Sequence, residues 1–192
     1  MESLEQLLSH PNYVSLSPEQ QTQAQQWFKE GYLIVKNFVS PEETDQINKE
    51  VQRLIREKKV KDDNRIFFAY RKSELLAEVV KREKLDELMS LLTGKRMFPF
   101  QSLNFIRGSQ QRAHSDSIHM TTYPKGYLTA IWIALEKVDQ ENGPLFYYPG
   151  SHRLPYVMNK DFEHGGSKYR IGDDANAQYE DKIASIIEEN NL

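Results

Sequence analysis

The central segment of the chain begins with His114-Ser115-Asp116, continues through Trp132 on an apolar run, and ends with Asn142-Gly143-Pro144-Leu145 and Pro149-Gly150-Ser151-His152-Arg153. In an extended strand, residues two apart point the same way, so His114 and Asp116 would share one side. A histidine and a carboxylate in that arrangement supply two of the three ligands of a 2-His-1-carboxylate iron site. We expect the third ligand to be a later histidine, and the chain reaches Leu192 before a good candidate appears.

The composition indicates an ordinary soluble domain. The 192 residues suffice for one domain with a core, and 39% are hydrophobic and 28% charged. A net charge of −3 gives no reason to expect nucleic-acid binding, and the basic cluster at residues 56–61 is typical of a solvated helix end. The acidic N-terminus lacks a signal-peptide pattern, and no apolar stretch approaches membrane-spanning length. Because there is no cysteine, thiolate zinc sites and cysteine nucleophiles are excluded. We expect a cytoplasmic enzyme.

Helical signals dominate the first half of the chain. Ser17-Pro18-Glu19-Gln20 and Ser40-Pro41-Glu42-Glu43 each combine an N-cap serine, a proline at the first helical position and a capping-box partner. The first predicts a helix that ends at Gly31 in a left-handed conformation. A later helical region carries apolar stripes at residues 75–80 and 85–92 and stops at Gly94. A last helical face contains Tyr179, Ile183, Ile186 and Ile187.

Strand signals are concentrated after Met97. Residues 32–39 already predict a strand in the helical half, and residues 99–106 and 127–135 predict two more. Asn142-Gly143 predicts a hairpin whose return strand covers residues 145–148. Segregated helices and antiparallel strands predict an α+β or mainly β fold, in which helices pack on a sheet or barrel.

The predicted strand over residues 127–135 has two different faces. Ile131, Ile133 and Leu135 share a bulky aliphatic face, as a helix-covered sheet requires. The other face surrounds Trp132 with small residues, which would leave room for a ligand. Taken alone, Trp132 is more often a core residue, and a lone His-x-Asp triplet is more often a hydrogen-bonded pair or a surface loop.

In their order and spacing, these blocks resemble the phytanoyl-CoA dioxygenase family of non-haem iron oxygenases. The resemblance runs from His114-Ser115-Asp116 through residues 130–135 and 141–145 to Pro149-Gly150-Ser151-His152-Arg153. Upstream, residues 30–39 followed by a capped helix look like the segment with which the domain usually begins in that family. The resemblance covers most of the chain from residue 27 on.

The resemblance implies a fold and a reaction. The fold is a cupin-like double-stranded β-helix, a jelly roll, with N-terminal helices packed on one sheet. The chain would be one domain over residues 1–192, with a mostly helical part at 1–95 that holds one strand and a jelly-roll part at 96–192 that carries the metal motif. Iron(II) would be held by the His-x-Asp pair and a distal histidine. Oxidative decarboxylation of 2-oxoglutarate to succinate and carbon dioxide would be coupled to hydroxylation of a small-molecule substrate.

The same resemblance implies roles for individual residues. His114 and Asp116 would be the first two iron ligands, and Asp116 favours hydroxylation because halogenating relatives have a small residue there. Asn104 falls where relatives place a side chain near 2-oxoglutarate, although it could equally be a strand-edge residue. Trp132 falls where the family places a pocket tryptophan, and together with Asn104 it would bind 2-oxoglutarate.

Three further polar residues have two interpretations each. His119 could contact substrate, or it could be a polar loop residue. Arg112 could attract an anionic group, or it could be solvated surface. His152 could be taken for the third ligand, but the resemblance implies that it is structural, at the turn after a strand.

The family pattern continues with a strand that carries the distal histidine and with a later base that pairs with 2-oxoglutarate, both expected beyond Leu192. We therefore expect the chain to be a fragment lacking its C-terminal strands, or a natural short form, with weak or no turnover. An alternative is a non-catalytic binding protein on the same scaffold with an incomplete metal site. A third interpretation is a different jelly-roll metalloenzyme that recruits His119 or His152 as the third ligand.

Overall fold

The structure is a computed structural model that describes residues 4–57, 65–108, 111–158, 161 and 173–192. Within these ranges the chain is rich in helix. In chain order it forms α1 (Leu4–Ser9), α2 (Pro11–Val14), α3 (Pro18–Glu30), α4 (Pro41–Arg56), β1 (Arg65–Phe67), α5 (Glu74–Val80), α6 (Glu83–Thr93), β2 (Leu103–Phe105) and α7 (Asp173–Glu189). Short 3-10 turns occur at Ala69–Arg71, Asp116–Ile118 and Ser151–Arg153.

The chain divides into two compact units. The first, which we call the site unit, contains Met1–Leu33, Gln110–Ile131 and Phe146–Leu192. The second, which we call the sheet unit, contains Ile34–Ser109 and Trp132–Leu145.

The capping signals in the site unit are confirmed. The amide of Gln20 donates to Ser17 Oγ at 3.3 Å, and the amide of Ser17 donates to Gln20 Oε1 at 3.1 Å, so α3 begins with a complete capping box. Gly31 ends that helix with a φ of 77°, the left-handed conformation that its sequence context predicts. Helices α1 to α3 enclose a small core formed by Leu7, Tyr13 and Ala24.

The site unit has a second apolar cluster, which belongs to its C-terminal helix. Tyr179 from α7 is buried against Ile118 and Val157, and Ile183 and Ile186 pack around them. This confirms Tyr179, Ile183 and Ile186 as members of the last helical face read from the sequence. The cluster ties α7 to the turn that directly follows His114.

The sheet unit contains the larger core. Its buried members come from α4, β1, the turn after β1, and α5: Ile47, Val51, Leu54, Ile66, Ala69, Leu76 and Val79. Helix α4 begins with the predicted capping box, formed by Ser40 and Glu43, and α6 ends at Gly94 as predicted. Strands β1 and β2 pair antiparallel, with Ile66 opposite Asn104.

Part of the central segment packs as its sequence suggested. Ile133 and Leu135, from the predicted helix-facing side, contact the core of the sheet unit. Asn48 on α4 fixes this segment, because its Nδ2 donates to the Leu135 carbonyl at 2.7 Å. Ile131, predicted on the same face, is instead 49% exposed.

Most of the predicted strands are wrong. Residues 32–39, 127–135 and 145–148 form no strand, and residues 99–106 shorten to Leu103–Phe105. The Asn142-Gly143 hairpin is also wrong, since the Asn142 side chain closes a local loop by accepting from the Asp139 amide and donating to the Lys137 carbonyl. A β-favouring run becomes a strand only where a partner pairs its backbone groups, and the described residues supply such a partner only between β1 and β2.

The jelly roll is therefore not confirmed. Within the described ranges there is one sheet of two strands, whereas a jelly roll requires many strands paired into two sheets. The division into a helical part at 1–95 and a jelly-roll part at 96–192 stays a prediction. Of the basic cluster at 56–61, Arg56 is the last residue of α4, and residues 58–61 lie outside the described residues. Among the helices that the structure describes, none combines the length and the apolar character needed to cross a bilayer.

Candidate functional site

His114 and Asp116 converge in the structure, although they lie on an irregular segment that leads into a 3-10 turn rather than on a strand. Ser115 is extended, with φ −105° and ψ 128°, and Asp116 begins the 3-10 turn Asp116–Ile118. The extended residue places both neighbouring side chains on one side, as the His-x-Asp spacing predicts. His114 Nε2 lies 3.4 Å from Asp116 Oδ1.

The other nitrogen of the His114 ring is fixed by the backbone. His114 Nδ1 lies 2.8 Å from the Arg112 carbonyl oxygen, which can only accept, so Nδ1 carries a proton. In the neutral ring Nε2 is then the atom with a free lone pair, on the side of Asp116. Metal-binding histidines typically have this arrangement, in which one ring N–H donates to a carbonyl and the other nitrogen binds the ion.

The spacing of the two side chains fits a shared metal ion. Two adjacent ligand atoms, each about 2.1 Å from one ion and at right angles, lie about 3 Å apart. The observed 3.4 Å is close to that distance and longer than a strong charge-assisted hydrogen bond. An imidazole nitrogen and a carboxylate oxygen also match the donor chemistry of non-haem iron.

Each group stabilises the charged form of the other. The Asp116 carboxylate raises the pKa of His114 above its ordinary value of 6.5, the Arg112 carbonyl acts in the same direction, and partial burial opposes both. The imidazole of His114 in turn lowers the pKa of Asp116 below 3.8. A metal ion would need His114 neutral and Asp116 ionised, so it would compete with one proton on Nε2.

A polar cavity of about 330 Å³ lies beside His114. It is lined by Gln111, Arg112, His114, His119, Asn176, Tyr179 and Glu180. The rings of His119 and His114 lie edge to face, with centroids 6.2 Å apart. The structure thus brings His119 and Arg112, both read from the sequence as substrate candidates, next to His114 of the predicted metal pair.

Arg112 is engaged by the C-terminal helix. Its guanidinium lies 3.1 Å from Asp181 Oδ1 and 3.4 Å from Glu180 Oε2. These carboxylates raise the pKa of Arg112, with the hydrogen bond to Asp181 as the largest cause. The side chain therefore already faces two acidic groups within the site.

Sequence reasoning missed the role of Tyr179. Its Oη accepts a hydrogen bond from the Ser115 amide at 2.8 Å and donates one to the Ser115 carbonyl at 3.1 Å. Tyr179 is 1% exposed, and burial raises its pKa above 10. Helical periodicity marks this residue only as part of an apolar face. Its hydroxyl, which must be hydrogen-bonded when buried, was the available signal.

The two proposed cofactor residues belong to the sheet unit. Asn104 lies on β2 opposite Ile66 and is partly buried there, and Trp132 is 49% exposed. Their roles beside 2-oxoglutarate stay predictions.

A third ligand is not found among the described residues, where no three His, Asp or Glu side chains are grouped to hold a metal ion. His152 is engaged elsewhere, since its Nε2 lies 3.2 Å from the Phe28 carbonyl at the end of α3. Arg153 donates to that same carbonyl at 2.6 Å. The recruitment of His119 or His152 as a third ligand therefore has no support in this part of the chain.

Comparison with known proteins yields one family and several relatives. The family model described as Phytanoyl-CoA dioxygenase (PhyH) matches residues 27–185. An ectoine dioxygenase from Nocardia farcinica is 28% identical over 144 residues, which cover 65% of this chain and 48% of that protein. Phytanoyl-CoA dioxygenase domain-containing protein 1 is 35% identical over 66 residues in Danio rerio, covering 34% of this chain and 22% of that protein. The form from Bos taurus is 39% identical over 56 residues, covering 29% of this chain and 19% of that protein.

The chain spans about half the length of the ectoine dioxygenase that it matches. No solved structure matches it.

Proposed function

The chain belongs to the phytanoyl-CoA dioxygenase family, and on that premise we propose that it is an iron(II)- and 2-oxoglutarate-dependent dioxygenase that hydroxylates a small molecule. The observation that carries the proposal is the convergence of His114 Nε2 and Asp116 Oδ1 at 3.4 Å, with His114 Nδ1 anchored to a carbonyl. When bound, iron(II) would supply the oxidising chemistry that couples 2-oxoglutarate decarboxylation to substrate hydroxylation.

The residues of this chain would have distinct tasks. His114 and Asp116 would hold the metal, and the Arg112 carbonyl would keep the His114 ring in the productive tautomer. Asp116 supports hydroxylation rather than halogenation, because its carboxylate fills the ligand position that a halide would need. Asn104 and Trp132 are proposed to contact 2-oxoglutarate.

The cavity beside His114 supports a polar substrate. His119, Asn176 and Glu180 offer hydrogen-bonding groups along its wall, whereas an acyl chain would require an apolar lining. The relative named ectoine dioxygenase also supports a small-molecule substrate. We therefore expect ectoine to stimulate 2-oxoglutarate consumption more than phytanoyl-CoA does, and a stronger effect of phytanoyl-CoA would contradict the polar assignment.

The function is tested by succinate formation from 2-oxoglutarate under air with added iron(II). We expect slow formation that requires iron, because only two ligand side chains converge in the described part of the chain. The Asp116→Ala variant gives the background rate of succinate formation, because it lacks one of the two proposed metal ligands. Succinate formation equal in the wild type and in Asp116→Ala would contradict the proposed activity.

A second candidate function is non-catalytic binding of a small molecule on the same scaffold. The observation in its favour is that His114 and Asp116 come together as possible metal ligands, while among the described residues no third side chain completes the set. It predicts that 2-oxoglutarate or a polar ligand perturbs the NMR signals of His119 and Asn176 without succinate formation. Succinate above the Asp116→Ala background would exclude it.

A further inference from the structure

Tyr179 directs its hydroxyl to Ser115, the residue between the two proposed metal ligands. A buried phenol needs a hydrogen-bond partner to offset its desolvation. Tyr179 Oη hydrogen-bonds the Ser115 amide at 2.8 Å and the Ser115 carbonyl at 3.1 Å. The hydroxyl is thus engaged both as acceptor and as donor.

The two hydrogen bonds act on two different peptide groups. The Ser115 amide belongs to the peptide that joins His114 to Ser115, and the Ser115 carbonyl belongs to the peptide that joins Ser115 to Asp116. Each peptide group is planar, so fixing its orientation also restricts the Cα of the neighbouring ligand residue. One hydroxyl therefore restrains the directions in which both His114 and Asp116 leave the backbone.

The helix that carries Tyr179 is itself held in place on two sides of the motif. Ile183 and Ile186 pack with Tyr179 around Ile118, which follows Asp116 in the same turn. Asp181, two residues after Tyr179 on α7, pairs with Arg112, whose carbonyl anchors the His114 ring. The position of the Tyr179 hydroxyl is thus fixed by the packing of the helix that carries it.

We infer that Tyr179 is a positioning residue that holds the His114–Asp116 pair in its metal-binding geometry through the backbone of Ser115. The inference rests on the proposed metal site. It deepens that proposal, because it assigns to α7 the task of orienting the two ligand residues. Loss of a group that orients metal ligands typically weakens metal affinity by about 10- to 100-fold.

The test compares Tyr179→Phe with Tyr13→Phe. Both substitutions remove one hydroxyl from a buried tyrosine in the site unit, and Tyr13 hydrogen-bonds Gln25 in the separate core of α1 to α3. The probe is Mn²⁺, measured by its free-ion EPR signal, alongside NMR exchange of the Ser115 amide. We expect Tyr179→Phe to weaken Mn²⁺ binding by about 10- to 100-fold and to accelerate Ser115 exchange, while Tyr13→Phe changes neither.

The possible outcomes separate this inference from the proposed function. Unchanged Mn²⁺ affinity in Tyr179→Phe, or unchanged Ser115 exchange, overturns the positioning role. If the wild type binds no Mn²⁺, the proposed metal site fails. The positioning role is then decided by the His114 ring ¹⁵N shifts, which it predicts to move in Tyr179→Phe and not in Tyr13→Phe. Unmoved shifts overturn it.

The wild-type protein provides a measurement that needs no variant. The two hydrogen bonds predict a slowly exchanging Tyr179 hydroxyl proton with a nuclear Overhauser effect to the Ser115 amide. If Tyr179→Phe does not fold, this signal decides the question, and its absence under conditions where the Ser115 amide is observed overturns the inference.

Discussion

His114 Nε2 lies 3.4 Å from Asp116 Oδ1, and the same ring is anchored through Nδ1 to the carbonyl of Arg112. The ring can therefore present only one nitrogen to the carboxylate. In the metal-free protein this contact favours a protonated His114 beside an ionised Asp116. The same two atoms, His114 Nε2 and Asp116 Oδ1, are the ones that would bind a metal ion.

The first prediction concerns the protonation of His114. Asp116 is the largest cause of its raised pKa, so Asp116→Asn should lower the pKa of His114 towards or below 6.5. Glu180 has the smallest effect, and Glu180→Gln should shift it much less. An NMR titration of the imidazole ring in metal-free protein measures both variants. Equal shifts in the two variants would show that Asp116 does not control the ring.

The second prediction concerns stability against pH. The folded pKa of His114 is raised, so its contribution is fully present below pH 6.5 and is lost as pH rises through the folded pKa. The folded pKa of Asp116 is lowered, so its contribution is present above pH 3.8 and is lost as pH falls through the folded value. Urea unfolding should therefore show the largest difference between wild type and Asp116→Asn between pH 3.8 and 6.5. A difference that grows steadily above that range would oppose the assigned signs.

The third prediction concerns Gly31, where α3 ends. A Cβ there would clash with the His152 ring and the Tyr147 hydroxyl, and the φ of 77° already disfavours side chains. Gly150 has a φ of 85° in the same unit but open space around its Cα. Gly150→Ala should cost about 1–2 kcal/mol of unfolding free energy, and Gly31→Ala should cost clearly more. Equal losses in urea unfolding would mean that the His152 ring does not lie against α3.

The fourth prediction concerns the core of the sheet unit. Leu54 is fully buried, so Leu54→Ala should lower the unfolding free energy by about 2–5 kcal/mol. Leu145 is 65% exposed in the same unit, and Leu145→Ala should change the unfolding free energy by about 0.5 kcal/mol or less. Chemical denaturation measures both variants. Similar effects of the two substitutions would contradict the placement of α4 in this core.

Local signals in the sequence predicted local structure well. Ser17 and Ser40 begin helices with full capping boxes, and Gly31 and Gly94 end helices in left-handed conformations. These features depend on atoms within four residues of each other, so the sequence contains the whole interaction.

Strands were predicted poorly because their hydrogen bonds are not local. Residues 127–135 have strong β-favouring character, but a strand needs a partner whose position the run itself does not specify. Only its Ile133 and Leu135 were correctly assigned to a core, since burial follows the apolar pattern even without pairing.

The candidate site was predicted in part. The convergence of His114 and Asp116 follows from their spacing around an extended residue, and the match to the phytanoyl-CoA dioxygenase family confirms the resemblance read from the motif order. The contact of Tyr179 with Ser115 spans 64 residues, and no periodicity in the sequence encodes it.

The most direct test of the proposed metal site is Mn²⁺ binding by wild type, His114→Ala, Asp116→Ala and His152→Ala, measured by EPR of the free ion. His152 serves as control because its ring already contacts the Phe28 carbonyl. The proposed metal site predicts that the wild type and His152→Ala bind with similar affinity, while His114→Ala and Asp116→Ala each lose binding. Unchanged affinity in His114→Ala and Asp116→Ala would contradict it.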